Sequence, residues 1–141
     1  MTQADTPLVL RHDDDRGVCT LTLNRPAAFN ALSEEMLTAL QSELDQLSKS
    51  QKLRVLVIAA SGKAFCAGHD LRQMRAEPSM DYYQKLFSQC GEMMMSIQKL
   101  QVPVIAKVQG IATAAGCQLV AQCDLAVASA EAKFAVSGVN L

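Results

Sequence analysis

Twice in this sequence, a short apolar run leads directly into a turn rich in glycine and alanine. The run at Val55–Ala60 has no polar residue and is followed by the turn at Ser61–Asp70. The run at Val104–Val108 is followed in the same way by Gln109–Cys117. Short apolar runs of this kind are typical of strands that are buried on both faces of a parallel sheet. The repeated arrangement therefore predicts an α/β domain.

Helical patterns lie between the strands. Ser33 is suited to cap a helix whose apolar residues recur every three or four positions, and Ser79 is suited to cap another. A third helix is expected through Cys117–Gln122. The predicted order is ββαβαβαββ, in one domain that spans residues 1–141. The remaining strands are predicted at Pro7–Arg11, Val18–Leu23, Leu125–Ala128 and Phe134–Val136.

Charge and cysteine usage exclude several classes of partner. The net charge is −1 and the pI is near 6.1, so neither nucleic acid nor an anionic membrane is an expected partner. Five scattered cysteines without a CxxC pair predict neither a disulfide framework nor a zinc site. The acidic start of the chain resembles neither a secretory signal nor a transit peptide. We therefore expect a cytoplasmic protein with reduced thiols.

The end of the chain is apolar and strand-like. Residues 133–141 read KFAVSGVNL, without the polar tail that solvated termini usually carry. This ending predicts that the sequence is the N-terminal part of a longer chain and that a C-terminal part is absent.

The two glycine-rich turns point to a binding site at one edge of the sheet. In α/β sheets, ligands bind outside the carboxyl ends of the strands, where helix N-termini offer unpaired N–H groups. Neither turn has the spacing of a phosphate loop. Three readings remain: a Cys66 nucleophile with His69 as its base, a metal bound by Cys66, His69 and Asp70, or main-chain N–H donors from both turns. The residues favour the third, in which the donors stabilise a developing oxyanion or enolate.

Three motifs in register resemble a known family. They are LNRPAAFNALS at Leu23–Ser33, GKAFCAGHDL at Gly62–Leu71 and GIATAAGCQLVAQCDLAVAS at Gly110–Ser129. Together they resemble the enoyl-CoA hydratase/isomerase, or crotonase, superfamily from about residue 8 to residue 141. They are most similar to the branch called enoyl-CoA hydratase domain-containing protein 3. The resemblance implies a spiral of ββα units, an acyl-CoA substrate, no other cofactor, no metal, and a homotrimer or dimer of trimers.

The resemblance also assigns roles to residues. It implies that the N–H groups of His69 and Ala115 form an oxyanion hole for the thioester oxygen. It further implies contacts with the coenzyme A thioester at Arg25, Ala27, Ala28, Ala67, Gly68 and Gly116.

The sequence departs from the family at both catalytic carboxylates. Gln118 and Gly138 stand where hydratases of this family carry their two glutamates. An amide cannot act as a general base, and glycine has no side chain to move a proton. His69 is then the first candidate for a substitute base. Two functions remain open: an enzyme that acts on acyl-CoA, or a non-catalytic CoA-binding or assembly protein with the same fold.

Overall fold

Short strands alternate with helices along the chain, for which the computed structural model describes residues 6–137. The strands are β1 (Val9–Asp13), β2 (Val18–Leu23), β3 (Val55–Ala60), β4 (Ala64–Cys66), β5 (Val104–Val108), β6 (Ile111–Thr113), β7 (Leu125–Ala128) and β8 (Lys133–Ala135). The helices are α1 (Glu34–Ser48), α2 (Leu71–Ala76), α3 (Met80–Lys99) and α4 (Ala115–Gln122), and a 3-10 turn at Pro26–Ala28 precedes α1.

The strands form two sheets. The larger has the order β1-β2-β3-β5-β7, with β1 antiparallel to β2 and all other neighbours parallel. The smaller has the order β4-β6-β8 and is parallel throughout. The predicted α/β class is therefore confirmed, but β4 and β6 lie inside the two turns that were expected to be loops. The turns are consequently held against each other by strand pairing.

Two long helices begin at the predicted caps and pack together to cover the larger sheet. The Ser33 hydroxyl accepts a hydrogen bond from the Met36 N–H at 3.2 Å, and the Ser79 hydroxyl accepts one from the Tyr82 N–H at 3.1 Å. Such caps satisfy N–H groups that have no partner within the helix. The apolar face of α1 is buried as predicted: Met36, Leu37, Leu40, Leu44 and Leu47.

The buried face of α3 differs from the prediction. The helical pattern predicted an apolar face made of Tyr83, Leu86, Phe87, Cys90, Met94, Ile97 and Leu100. The structure buries Leu86, Cys90, Met94 and Ile97 as predicted and packs Tyr83 and Leu100 against the core. It also buries Tyr82 and Met93, and it leaves Phe87 49% exposed. The reason is that tyrosine and methionine are tolerated both on an apolar helix face and beside it. The periodicity alone therefore does not determine where that face ends. The displaced Phe87 ring faces the first glycine-rich turn instead.

Burial on both faces of the central strands was also predicted, and it is wrong within residues 6–137. In β3, Leu56 and Ile58 are fully buried while Val57 is only half-buried, and in β5 the Lys107 side chain is exposed. No described element fully covers this second face of the sheet. In the described range, no helix is long and apolar enough to cross a membrane.

Candidate active site

The two glycine-rich turns touch at Gly68 and Ala115. Gly68 has φ +93°, a conformation that side chains rarely adopt. A Cβ added there would lie 3.1 Å from the Ala114 Cβ and 3.2 Å from the Ala115 nitrogen. The Thr113 hydroxyl also donates a hydrogen bond to the Ala67 carbonyl at 3.2 Å. The two predicted donor residues are therefore brought together, since His69 directly follows Gly68.

The N–H groups of both predicted donors are unused by the described residues. Ala115 begins α4, so its N–H has no acceptor within the helix. His69 lies opposite Leu32, whose N–H donates to the Gly68 carbonyl at 2.7 Å and whose carbonyl accepts from the Asp70 N–H at 3.4 Å. This pairing fixes the backbone on both sides of His69 and leaves the His69 N–H unpaired within residues 6–137. Two fixed and unpaired donors are what an oxyanion site requires.

The His69 side chain points to α3 and packs edge-on against the Phe87 ring, with 5.2 Å between the ring centres. Its Nδ1 is buried and makes no well-formed hydrogen bond with a described residue. Burial lowers the pKa of His69, and the nearby Leu32 carbonyl opposes this effect without reversing it. The imidazole is therefore neutral near pH 7.

Of the two positions where carboxylates are replaced, the structure describes only Gln118. The Gln118 side chain is exposed on α4. Gly138 lies outside the described residues.

The Cys66 nucleophile is disfavoured by burial. The thiol is fully buried, and this burial raises the pKa of Cys66 to about 12. A reactive cysteine needs an exposed thiolate instead. Among residues 6–137, no group of three potential ligands stands close enough to hold a metal ion.

A groove of about 300 Å³ lies beside the first turn, and Arg25, Ala27 and Ala28 line it together with Asp70. The Arg25 guanidinium is 2.7 Å from the Asp70 carboxylate, which also caps α2. Burial alone would raise the pKa of Asp70, but the Arg25 hydrogen bond and two backbone N–H groups together hold it below its usual value.

Gly116 is buried at the contact between the two turns, whereas Ala67 is exposed. A Cβ on Gly116 would collide with the Cys66 carbonyl, so only glycine permits this approach.

Sequence reasoning missed Asn30. Its side chain is fully buried, and its φ of +53° lies in the left-handed region. The amide oxygen accepts from the Arg25 N–H at 2.8 Å, and the amide nitrogen donates to the Ser61 and Ala64 carbonyls at 2.8 and 3.0 Å. Asn30 therefore ties the groove to the first turn. The available signal was an asparagine in a loop, a residue type that tolerates left-handed backbone.

Comparison with known proteins identifies the family. The family profile described as enoyl-CoA hydratase/isomerase matches residues 13–141. The chain belongs to the enoyl-CoA hydratase/isomerase family. It is similar to enoyl-CoA hydratase domain-containing protein 3, mitochondrial, of Xenopus laevis, with 45% identity over 96% of this chain and 46% of the relative. The Homo sapiens protein of that name is 46% identical over 89% of this chain and 41% of its own length.

Solved structures confirm the crotonase fold. The crystal structure of an enoyl-CoA hydratase from Mycobacterium smegmatis matches with a TM-score of 0.94 and 64% identity, over 96% of this chain and 52% of that one. The human enoyl-CoA hydratase domain-containing protein 3 matches with a TM-score of 0.89 and 43% identity, over 95% and 53%. The predicted branch is thus confirmed as well. The chain spans about half the length of the relatives it matches.

The prediction of a cytoplasmic protein is wrong on this comparison. Relatives that are 45–46% identical to the chain are named as mitochondrial proteins. The prediction rested in part on the acidic start of this sequence, and that feature carries no information about the relatives' compartment.

Proposed function

We propose that this protein binds an acyl-CoA and that the N–H groups of His69 and Ala115 donate hydrogen bonds to its thioester oxygen. The observation that supports the proposal is the contact between the two turns, whose His69 and Ala115 N–H groups have no hydrogen-bond partner within residues 6–137. Two relatives support a thioester substrate by name: a 2,3-dehydroadipyl-CoA hydratase and a 1,2-epoxyphenylacetyl-CoA isomerase, both of Escherichia coli.

The donors would act on charge that develops at the thioester oxygen. Gly68 and Ala115 are buried, so water competes weakly for the oxygen and each hydrogen bond gains strength. Polarisation of this kind stabilises an enolate, the species shared by hydration and double-bond shift, and it also assists thioester hydrolysis. The groove at Arg25, Ala27 and Ala28 would accept the nucleotide and pantetheine, with Ala67 at the adenine and Gly116 behind the donors. Coenzyme A enters only as part of the substrate.

Proton transfer would need a group other than the usual pair of glutamates. Gln118 is an amide, and Gly138 carries no side chain. The neutral imidazole of His69 is the first candidate for the base, because it can accept a proton near pH 7. Its contact with Phe87 fixes the ring but also holds it against α3.

Assembly and domain organisation complete the proposal. We place residues 1–141 in one domain and propose that copies of the intact protein associate as trimers or dimers of trimers. Exposed apolar side chains on the last two strands suit burial in a larger assembly: Leu125, Val127 and Phe134.

Calorimetric titration of the intact protein with acetyl-CoA and crotonyl-CoA tests the binding step. Gly68→Ala should abolish binding, because its Cβ would press on Ala114 and Ala115. Gly91→Ala is the matched control, since a Cβ there meets nothing within 4 Å. Absence of binding to the unmodified protein at millimolar ligand would refute the proposed function.

A second candidate is a CoA-binding or assembly protein without catalysis, and the amide at position 118 favours it. Hydration of crotonyl-CoA, followed by its absorbance, separates the two candidates. Robust turnover by the unmodified protein, lost in His69→Ala, supports the enzyme. Turnover that appears only when Gln118→Glu is combined with Gly138→Glu supports the non-catalytic protein.

A further inference from the structure

Ala114 holds a backbone conformation that suits glycine. Its φ is +50° and its ψ is −125°. Phe29 also has a positive φ, but its ψ of 35° places it in the ordinary left-handed region. Ala114 lies outside that region, where a non-glycine residue costs about 1–3 kcal/mol. Strain of this size persists only where the surroundings enforce it, and it is found most often at functional sites.

Hydrogen bonds enforce the conformation from both sides. The Ala114 N–H donates to the Ala135 carbonyl in β8 at 2.9 Å, and the Ala114 carbonyl accepts from the Gln118 N–H in α4 at 3.0 Å. The residue is thereby fixed between a strand and a helix. The peptide that follows carries the Ala115 N–H, which donates no hydrogen bond to a backbone acceptor within residues 6–137.

The Ala114 methyl group stands at the centre of the contact between the two turns. Its Cβ is the atom that a side chain on Gly68 would meet first, at 3.1 Å. On one side of it, Thr113 is bonded to Ala67, and on the other, Gly116 lies against the Cys66 carbonyl. The methyl group therefore fills the gap between the segments that bear the two N–H donors.

We propose that Ala114 is a positioning residue whose methyl group sets the spacing between the His69 and Ala115 N–H groups. The inference rests on the proposed function, because spacing matters only if both donors bind one oxygen. Glycine would tolerate the same backbone without strain, but it would remove the spacer and loosen the turn. Alanine at position 114 therefore strains the backbone, but it keeps the distance between the two donors fixed.

The test uses three variants of the intact protein: Ala114→Gly, Ala114→Ser and Ala121→Gly. Serine keeps the Cβ, whereas glycine removes it. Ala121 is an exposed residue of α4, so Ala121→Gly controls for the general effect of glycine. Crotonyl-CoA carrying ¹³C at the thioester carbonyl is bound to each protein, and the carbonyl stretch is recorded by difference infrared spectroscopy. Thermal unfolding is measured alongside.

Polarisation by two well-placed donors lowers the frequency of the carbonyl stretch. Ala114→Gly should lose much of that shift, whereas Ala114→Ser should keep it. Loss of a whole donor costs roughly 100-fold in rate or more. A displaced donor should therefore cost about 10-fold in kcat/KM where turnover is measurable. Thermal stability should not fall in Ala114→Gly, because relief of strain offsets the added backbone freedom, whereas Ala121→Gly should lose stability and keep the shift.

Three outcomes would overturn the proposal. An unchanged stretch in Ala114→Gly would show that the spacing does not depend on the methyl group. A marked loss of stability in that variant would show that the methyl group serves packing alone. Failure of the unmodified protein to bind crotonyl-CoA would refute the proposed function together with this inference, and so differs from the first two results.

Discussion

Asn30→Asp is the most specific test of the hydrogen bonds that link the groove to the first turn. The two side chains have nearly the same shape, but the carboxylate cannot donate to the Ser61 and Ala64 carbonyls, which the amide reaches at 2.8 and 3.0 Å. The Ser61 carbonyl would be left without a side-chain partner, which costs about 1–3 kcal/mol. The Ala64 carbonyl would keep its bond from the Gln109 amide at 3.0 Å and lose only the bond from Asn30, which costs about 0.5–1.5 kcal/mol. The bond from the Arg25 N–H survives, because the carboxylate still accepts. We therefore expect a loss of about 2–4 kcal/mol in the free energy of unfolding near pH 7.

The same variant should recover stability in acid. Burial next to two carbonyl oxygens disfavours the charged form, so the folded protein raises the pKa of the introduced carboxyl above that in the unfolded chain. A raised pKa contributes stability that is present below the unfolded value, about 3.9, and is lost as the pH rises through the folded value. The protonated acid can also donate one hydrogen bond.

Urea denaturation at pH 7 and pH 5 measures both effects. Asn24→Asp is the control, because that amide donates only to the Pro7 carbonyl, at 3.0 Å in an exposed setting. The control should lose about 1 kcal/mol or less, and should gain nothing from acid. Equal losses in the two variants would refute the reasoning, since the buried bonds of Asn30 would then have no special weight.

Three further results are expected. The lowered pKa of His69 means that the unfolded chain binds more protons below about pH 6.5, so stability falls with acid, and His69→Asn should reduce that fall in thermal scans; an identical pH profile would contradict this. At pH 8, iodoacetamide should label the half-buried Cys117 in the native protein and spare Cys66, whose pKa burial raises to about 12; equal labelling, read by mass spectrometry, would be inconsistent with the buried thiol. Arg25→Gln should raise the pKa of Asp70 in an NMR titration, because their 2.7 Å contact favours the carboxylate, and an unshifted titration would show that the contact is absent in solution.

The larger sheet and the long helices were predictable because their signals are local. The run at Val55–Ala60 is β3 to the residue, and the caps at Ser33 and Ser79 begin α1 and α3. An apolar run and a capping hydroxyl act within a few residues of their own position, so a single sequence is enough to read them.

In the smaller sheet, β8 was predicted as the strand at Phe134–Val136, whereas β4 and β6 were missed because they depend on contacts between distant residues. β4 and β6 have three residues each; β4 pairs with β6, and β6 also pairs with β8. α2 was missed for a related reason, since it buries none of its residues and so carries no apolar stripe. In the site, the motifs predicted which residues would carry the donors, and the two turns that contain them touch. The strain at Ala114 and the buried hydrogen bonds of Asn30 arise only when separate segments of the chain meet, so no local sequence pattern predicts them.

The most direct test of the central claim compares a thioester with its thioether. Butyryl-CoA and butyl-CoA differ in the carbonyl oxygen that the His69 and Ala115 N–H groups are proposed to bind. Each hydrogen bond contributes about 0.5–1.5 kcal/mol net, so calorimetry should show the thioester binding about 10-fold more tightly or better. Equal affinity for the two ligands would contradict the account, because the donors would then make no contact with the thioester oxygen.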